Sequence, residues 1–344
     1  MQRQTIAIVL LVVLLMIETA MMSWDCVQLK DFLPSTSRET WDERNAETTE
    51  DKPIVPNALL AKTAKSFKGG PTWRLEPQWN LTELPEVGDY DCKWVEFRPI
   101  GGKKAQMCVH PFKDIVSMNV AQFGGWVDCR ILTKLWHQNY REGSIYVEIG
   151  ANIGACVMQM LMTTNASIVA FEPNPLNRYC LMSTMKRMDK EYQDRLLLYP
   201  VALGARQSTQ LIYSVENNMG NSVVGKVIKD QEYQKANAPL VVHVERAADI
   251  LTPDGPDIAL MKLDAQGYEC EILNGMEGSN ILERTSTVKF EFAGKWLEGH
   301  NCHDLIQRFM DAGFHVYNPD SPRPITANAT FHVQDLHATR TKKT

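Results

Sequence analysis

A chain of 344 residues has room for one large domain with extensions, or for two domains. Its 44% hydrophobic and 22% charged residues are those of an ordinary globular protein. A formal net charge of -5 implies no strongly basic surface of the kind a nucleic-acid binder presents; the one basic run, Arg340 to Lys343, reads as a solvated tail.

The N-terminus reads as a targeting segment. Arg3 precedes an unbroken apolar run from Ile6 to Ile17, Glu18 follows, and Thr19 to Met22 extend the apolar character. The run is shorter than the roughly 20 apolar residues of a spanning helix. It fits the core of a signal peptide or, with Glu18 near the interface, a signal anchor. Residues 1–22 are therefore expected to send the chain into the secretory pathway. It would be secreted, or held as a single-pass type II membrane protein of the Golgi or endoplasmic reticulum. A lumenal chain tolerates glycans and disulfides. Glycosylation sequons begin at Asn80, Asn165 and Asn328. The eight cysteines show neither CxxC nor a metal-binding spacing, so no metal is expected. Cys156, Cys180 and Cys270 fall on predicted helices and read as core thiols. Cys92 and Cys108 are a candidate bridge.

Residues 23–90 are rich in Thr, Glu, Pro and Trp without periodicity and read as a stem, flexible over 34–53. Residues 91–320 read as the main domain, and 321–344 as a C-terminal extension. Helical spacing runs from Val116 to Leu135, interrupted by Gly124-Gly125. Ile145 to Ile149 is a predicted strand, and Ile153, Val157, Met160 and Leu161 follow at helical spacing. Ile168 to Glu172 is the next strand, Pro175 to about Met188 the next helix, and Leu196 to Val201 a third strand. Gln210 to Val215 and Val241 to Glu245 are strands around a polar loop. That loop, Glu216 to Gly225, is a hairpin connection or a flap over an acceptor. Ile258 to Leu263 is an apolar strand, with a helix from about Tyr268 to Met276. Val288 to Phe292 is another strand, Leu305 to Met310 a helix ended by Gly313, and Phe314 to Tyr317 closes the series. Strand–helix alternation with apolar strands predicts an α/β fold, a doubly wound, mostly parallel sheet covered on both faces.

The segment Tyr146-Val-Glu-Ile-Gly-Ala-Asn-Ile-Gly154 carries a strand into a helix through two glycines. Gly150 permits a tight turn, and Gly154 lets helix and strand approach. A helix opening there offers unpaired amides at its positive end. The dinucleotide fingerprint needs glycine at the third position of this turn, where Asn152 stands. About 20 residues on, Glu172 ends the second strand in Ala170-Phe-Glu-Pro-Asn-Pro175, where a carboxylate can accept from ribose hydroxyls. A solvated loop carboxylate is the plain alternative.

Four blocks then stand in order: Glu148 to Gly154, Phe171 to Pro175, Val201 to Gly204, and Lys262-Leu-Asp-Ala-Gln-Gly-Tyr-Glu269. Together they resemble the FkbM-type methyltransferases over roughly 116–318. The resemblance implies a seven-stranded class I methyltransferase sheet, S-adenosyl-L-methionine as cofactor, and O-methylation. It places Glu148, Gly150, Asn152 and Gly154 at the methionine end of the cofactor, Glu172 at the ribose, and Ala202 and Leu203 beside the adenine. Glu148 stands where the family usually has Asp, and the stem has no counterpart in the minimal family domain.

Asp264, ending the strand from Ile258, is the first candidate for catalysis or acceptor orientation; an N-cap for the next helix is the plain alternative. Lys262 alternates with it onto the same sheet face and needs a carboxylate, for which Glu291 is the candidate. The catalytic candidates are thus Asp264, Lys262 and Glu291. Glu269 and Glu271 open a helix, where negative charge is favourable. His243, His300, His303 and His315 are scattered; His243 is a possible base or a structural histidine. The expected partner is a glycan or small-molecule acceptor, with a sugar hydroxyl in the secretory pathway first. A dinucleotide-dependent oxidoreductase and a non-catalytic domain of the same fold are the competing functions.

Overall fold

The structure is a computed structural model describing residues 84–215, 218–225, 239–294, 302–319, 321, 323–329, 331 and 333–340. The targeting segment, the stem up to residue 83 with Asn80, Glu216, and His300 lie outside the described residues.

The described chain opens with an antiparallel hairpin, β1 (Lys93–Phe97) and β2 (Ala105–Val109). Helix α1 (Ile115–Phe123) starts where the Asp114 carboxylate accepts from the Ser117 amide, and stops at Gly124 in the left-handed conformation. Helix α2 (Arg130–Asn139) follows, so Gly124-Gly125 separates two helices. Then come β3 (Ile145–Ile149), α3 (Ala155–Thr163), β4 (Ser167–Phe171) and α4 (Pro175–Lys186), with Asn174 as N-cap and Pro175 in its first turn. Next are α5 (Lys190–Gln193), β5 (Leu196–Tyr199), β6 (Ala202–Leu203), β7 (Ser208–Val215), β8 (Asn218–Val224) and β9 (Leu240–Glu245). The series ends with α6 (Ala247–Ile250), β10 (Ile258–Leu263), α7 (Glu269–Met276), β11 (Thr287–Ala293), α8 (Leu305–Asp311), β12 (His315–Tyr317) and β13 (Val333–Thr339).

The main sheet has seven strands in the order β12-β13-β11-β10-β3-β4-β5. The pairs from β11 across to β5 are parallel, but β13 runs antiparallel to both β11 and β12. The sheet is therefore mixed rather than cleanly parallel. The segment 321–344, read from sequence as an extension, supplies β13, which wedges between β11 and β12. Its pattern Gln334-Asp-Leu-His-Ala338 hides the strand, because Asp335 points at Lys289 of β11 and is paired with it at 2.8 Å. A second correction concerns β6, β9, β7 and β8, which form a separate four-stranded sheet. Most of the predicted loop Glu216 to Gly225 is the edge strand β8, antiparallel to β7.

Side chains of the central strands alternate between two cores. Ile145, Val147, Ile149, Met261, Leu263 and Phe290 pack on one face with α7 and α8. Tyr146, Ile168, Ala170, Leu198 and Leu260 pack on the other with α2, α3 and α4. Each large side chain so buried contributes about 1.5–3 kcal/mol.

Disulfides join Cys92 to Cys108, Cys129 to Cys156, and Cys270 to Cys302. The candidate bridge at Cys92 and Cys108 forms. Cys156 and Cys270, read as core thiols, are instead bridged: each helix thiol meets a cysteine from a loop or turn that helical spacing could not bring near it. Cys180 is a buried free thiol. The link from Cys129 to Cys156, 27 residues apart, fastens the turn bearing Asp128 to α3 and stabilises the fold by ~3 kcal/mol on loop-closure grounds.

Candidate functional site

The order of the main sheet reverses between β3 and β10, and ligands of doubly wound sheets bind beyond the strand ends at such a point. There the glycine turn after β3 meets the turn after β10: the Asp264 amide donates to the Ile149 carbonyl at 3.1 Å. Gly150 has φ 84°, and a Cβ on it would overlap the Asp264 carbonyl oxygen, so only glycine fits. A cavity of about 300 Å³ opens at this junction, within the range of small-molecule sites.

The glycine turn is held from β4. The amides of Gly150 and Ala151 donate to the Phe171 carbonyl at 3.1 and 3.0 Å, and the Asn152 amide donates to Glu172 Oε2 at 2.7 Å. Asn152 itself is left-handed, φ 52°, a conformation asparagine tolerates better than most residues. The other Glu172 oxygen accepts from the Asn174 amide at 2.8 Å and from Asn177 Nδ2 at 3.3 Å. Burial pushes the Glu172 carboxyl up, while these donors pull it back. Glu172 is thus buried at the cavity wall and not a solvated loop carboxylate.

Cavity-lining residues include Glu148, Gly150, Asn152, Glu172, Ala202 and Leu203, together with Lys262, Asp264 and Glu291. Gly154 is not among them. Its place is against α4, where a Cβ would overlap Leu181. Helix α3 has no side-chain cap at Gly154, so its opening amides remain available to an anionic group.

Strand register sets Glu148 directly opposite Lys262. Lys262 Nζ lies 2.9 Å from Asp264 Oδ2 and 3.5 Å from Glu148 Oε1. The second distance is an ion pair without hydrogen-bond geometry, and Glu148 Oε1 has no hydrogen-bond partner. Glu148 Oε2 accepts from the Tyr146 hydroxyl at 2.6 Å. The expected Lys262–Glu291 pair does not form. Glu291 Oε2 accepts from Gln266 Nε2 at 3.0 Å, and the same Nε2 donates to Asp264 Oδ1 at 2.6 Å. Sequence parity put Lys262 on the correct face but could not choose between carboxylates on either side of its strand. Nor is Asp264 an N-cap, since Tyr268 holds that position on α7. Glu269 stands in the first turn of α7 as expected. Its Oε1 also accepts from the Ala265 amide at 2.9 Å and so closes the turn after Asp264.

Burial alone would lower the Lys262 ammonium, but Asp264 and Glu148 overcome it and hold it above its ordinary value. Burial alone would raise Asp264, but Lys262, then Lys289 and Gln266, bring it below the usual carboxylate range. Asp264, 28% exposed, is therefore the ionised carboxylate at the cavity. Glu291 is pushed up to about 8 by burial and by Asp264, Glu269 and Asp335. Glu269 is pushed up to about 7, chiefly by burial. Each carboxyl binds its proton more tightly folded than unfolded, so each contributes stability at acid pH that is lost as pH rises through its folded value. Melting temperature is expected to fall from pH 6 to pH 9, and Glu291→Gln to flatten the part of that fall near pH 8. Thermal melts across pH check it, and an unchanged slope in the variant counts against the assignment.

Sequence reading passed over several residues. Asp114 caps α1 with one oxygen and accepts from the Met219 amide of β8 at 2.9 Å with the other. Asn174 Nδ2 donates to Ser214 and Ser222 at 3.1 and 3.3 Å, fastening the β7–β8 hairpin beside Glu172. Strand β8 thereby walls the cavity with Asn218 to Ser222. The capping pattern at Asp114 was readable; its bond to a strand 105 residues away was not. Gln266 lay inside the fourth block, but its left-handed φ of 54° marks it out only in the structure. His243, His303 and His315 are exposed and none lines the cavity. Among the described residues no group of three His, Cys, Asp or Glu side chains is placed to hold a metal ion, and no helix is long and apolar enough to cross a membrane.

Residues 148–316 match the family profile of the Methyltransferase FkbM domain. No curated protein sequence matches the chain. Among solved structures it is similar to the methyltransferase FkbM from Methylobacillus flagellatus, at 13% identity and a TM-score of 0.36, over 61% of this chain and 51% of that one. It is also similar to a precorrin-6y C5,15-methyltransferase from Geobacter metallireducens, at 12% identity and a TM-score of 0.32, over 62% and 88% of the two chains. A Pyrococcus abyssi tRNA (uracil-54, C5)-methyltransferase has 11% identity and a TM-score of 0.34, over 72% and 44%. The chain thus spans about half the length of the Methylobacillus flagellatus protein. The region that carries the glycine turn, Glu172 and the Asp264 turn, residues 148–316, is a member of the FkbM methyltransferase family.

Proposed function

We propose that the protein is an S-adenosyl-L-methionine-dependent methyltransferase acting on a hydroxyl acceptor, a sugar or other small molecule of the secretory pathway. One observation carries the reading. At the switch point, Glu172 is locked onto the glycine turn at one side of a 300 Å³ cavity, and a charged Lys262–Asp264 pair stands at the other. The residues suit the cofactor. Glu148 Oε1 is a buried acceptor without a hydrogen-bond partner, fit for an ammonium group; the uncapped start of α3 suits a carboxylate; Glu172 suits ribose hydroxyls. Val201, Ala202, Leu203 and Phe171 give apolar walls for a base.

When bound, S-adenosyl-L-methionine would supply an electrophilic methyl on a cationic sulfur that can leave with the C–S bonding pair. Glu148, Asn152 and Glu172 orient the ligand, and alignment of this kind removes several kcal/mol of barrier. Asp264, ionised and at the cavity, receives the acceptor's proton or a hydrogen bond from it. Lys262 and Gln266 hold that carboxylate in place.

Two further observations support the wider reading. Three disulfides suit an oxidising compartment, in keeping with the secretory expectation for residues 1–22. Asn152, with its side chain at the point where a pyrophosphate needs glycine, disfavours the oxidoreductase.

Calorimetry with S-adenosylhomocysteine and with NADH tests the reading. S-adenosylhomocysteine is expected to bind, and Glu172→Ala to weaken it at least about tenfold, ~1.4 kcal/mol. Binding of NADH alone would reverse the assignment.

A further inference from the structure

Tyr90, the last residue of the expected stem, and His110, just after β2, both precede the family match at 148–316. A hydrogen-bonded line nevertheless runs from them to Glu172. Tyr90 Oη and His110 Nδ1 are 2.7 Å apart. His110 Nε2 and Asn177 Oδ1 are 2.9 Å apart, and Asn177 Nδ2 donates to Glu172 Oε1 at 3.3 Å. His110, Asn177 and Glu172 are all buried, and Asn177 also lines the cavity.

The proton positions follow from the carboxylate outwards. A carboxylate accepts, so Asn177 turns its NH₂ to Glu172 and its Oδ1 to His110. Oδ1 can only accept, so His110 Nε2 carries a proton. Burial holds the imidazole below its ordinary value, against Asp114 and Asn177, so the ring is neutral and Nδ1 is an acceptor for the Tyr90 hydroxyl. That hydroxyl lies 3.1 Å from the Cys180 thiol, which burial pushes up to about 12 and so keeps protonated. Every donor in the line thus points towards Glu172. The ring itself is fixed by Phe112, stacked on it at 4.9 Å, and by the His110 amide, which donates to Ser117 Oγ at 3.1 Å. Without an N–H at Oδ1, Asn177 has two poor choices. Its NH₂ faces Glu172 and leaves a buried acceptor orphaned, or its oxygen meets the carboxylate and sets two acceptors face to face.

We propose that His110 is a positioning residue for the cofactor: through Asn177 it holds the Glu172 carboxylate towards the ribose hydroxyls. Residues ahead of the matched family region thereby set cofactor affinity. The proposal rests on the methyltransferase reading above and goes further in assigning part of that affinity to a side chain that does not touch the ligand. Partners of this kind, one step behind a ligand-holding group, fix its orientation.

The test is calorimetric binding of S-adenosylhomocysteine to the full chain. His110→Gln keeps an amide N–H near the place of Nε2, whereas His110→Asn carries its polar group near Nδ1 and leaves Asn177 without a donor. Both lose the ring, so their melts are expected to fall alike. Affinity is expected to separate them: within about twofold of wild type for His110→Gln, and about fivefold weaker for His110→Asn, the usual net worth of one hydrogen bond. In an Asn177→Leu background, His110→Asn should weaken binding no further. Nitrogen NMR of the histidine-labelled wild-type chain should show a neutral ring protonated at Nε2, and this reading stands even if a variant fails to fold. Equal affinity of the Gln and Asn variants, whether kept or lost, overturns the proposal. So does an additive loss in the double variant, or a ring that is charged or protonated at Nδ1. A wild-type chain that does not bind S-adenosylhomocysteine takes down the methyltransferase reading instead.

Discussion

Asp264→Asn is expected to lower methyl transfer about 10²–10⁴-fold while leaving S-adenosylhomocysteine affinity nearly unchanged. The wild-type carboxylate has two donors to satisfy, Lys262 Nζ at 2.9 Å and Gln266 Nε2 at 2.6 Å. An asparagine has one oxygen for the two of them, and its NH₂ faces whichever donor is left. The loss of one charge-assisted bond costs about 1.5–3 kcal/mol of stability, a few degrees of melting temperature. That shift is small beside the effect on turnover, because asparagine cannot take a proton from the acceptor. Single-turnover transfer and calorimetry with S-adenosylhomocysteine separate the two effects. Undiminished turnover would remove Asp264 from the chemistry. A parallel loss of S-adenosylhomocysteine binding would make it a cofactor residue instead.

Replacement of Lys262 by methionine should produce the largest stability loss at the site. The ammonium lies between Asp264 and Glu148, and both it and Glu148 are almost fully buried. Removing it leaves two carboxylates facing each other with only the Tyr146 hydroxyl and Gln266 Nε2 as donors. Breaking a buried pair in this way costs about 3–5 kcal/mol, equivalent to a fall of about 10 °C or more. The deficit has a pH signature. Without Lys262 both carboxylates bind protons more tightly folded than unfolded, so the variant recovers stability as pH falls. Adding Glu148→Gln should restore most of the loss, since the two sites are directly coupled. Calorimetric melts of the single and double variants at pH 5 and pH 8 check this. A Lys262→Met protein that melts within a degree of wild type at pH 8 would show that the three groups are not a charge-compensated unit.

What the sequence determined by itself was local. Apolar runs at strand length, glycines at the turn after Ile149, Asn152 in place of a third-position glycine and Glu172 at the end of β4 set the α/β alternation and the position of the cofactor end. Each depends on neighbours within about 25 residues, where side-chain parity and turn chemistry act directly. Parity also put Lys262 and Asp264 on one face. Tertiary structure decided everything that needed a partner from afar. It chose Glu148 over Glu291 for Lys262, because β10 lies against β3 in a register that sets 148 opposite 262. It drew Val333–Thr339 into the sheet, because Lys289 is buried there and Asp335 neutralises it. It turned the Asn/Gly loop into strand β8 and fastened it over the cavity through Asp114. It joined Cys156 and Cys270 to cysteines 27 and 32 residues away. Side-chain period encodes a face but not the identity of what lies across it; that identity is set by strand order, and strand order is a property of the packed sheet.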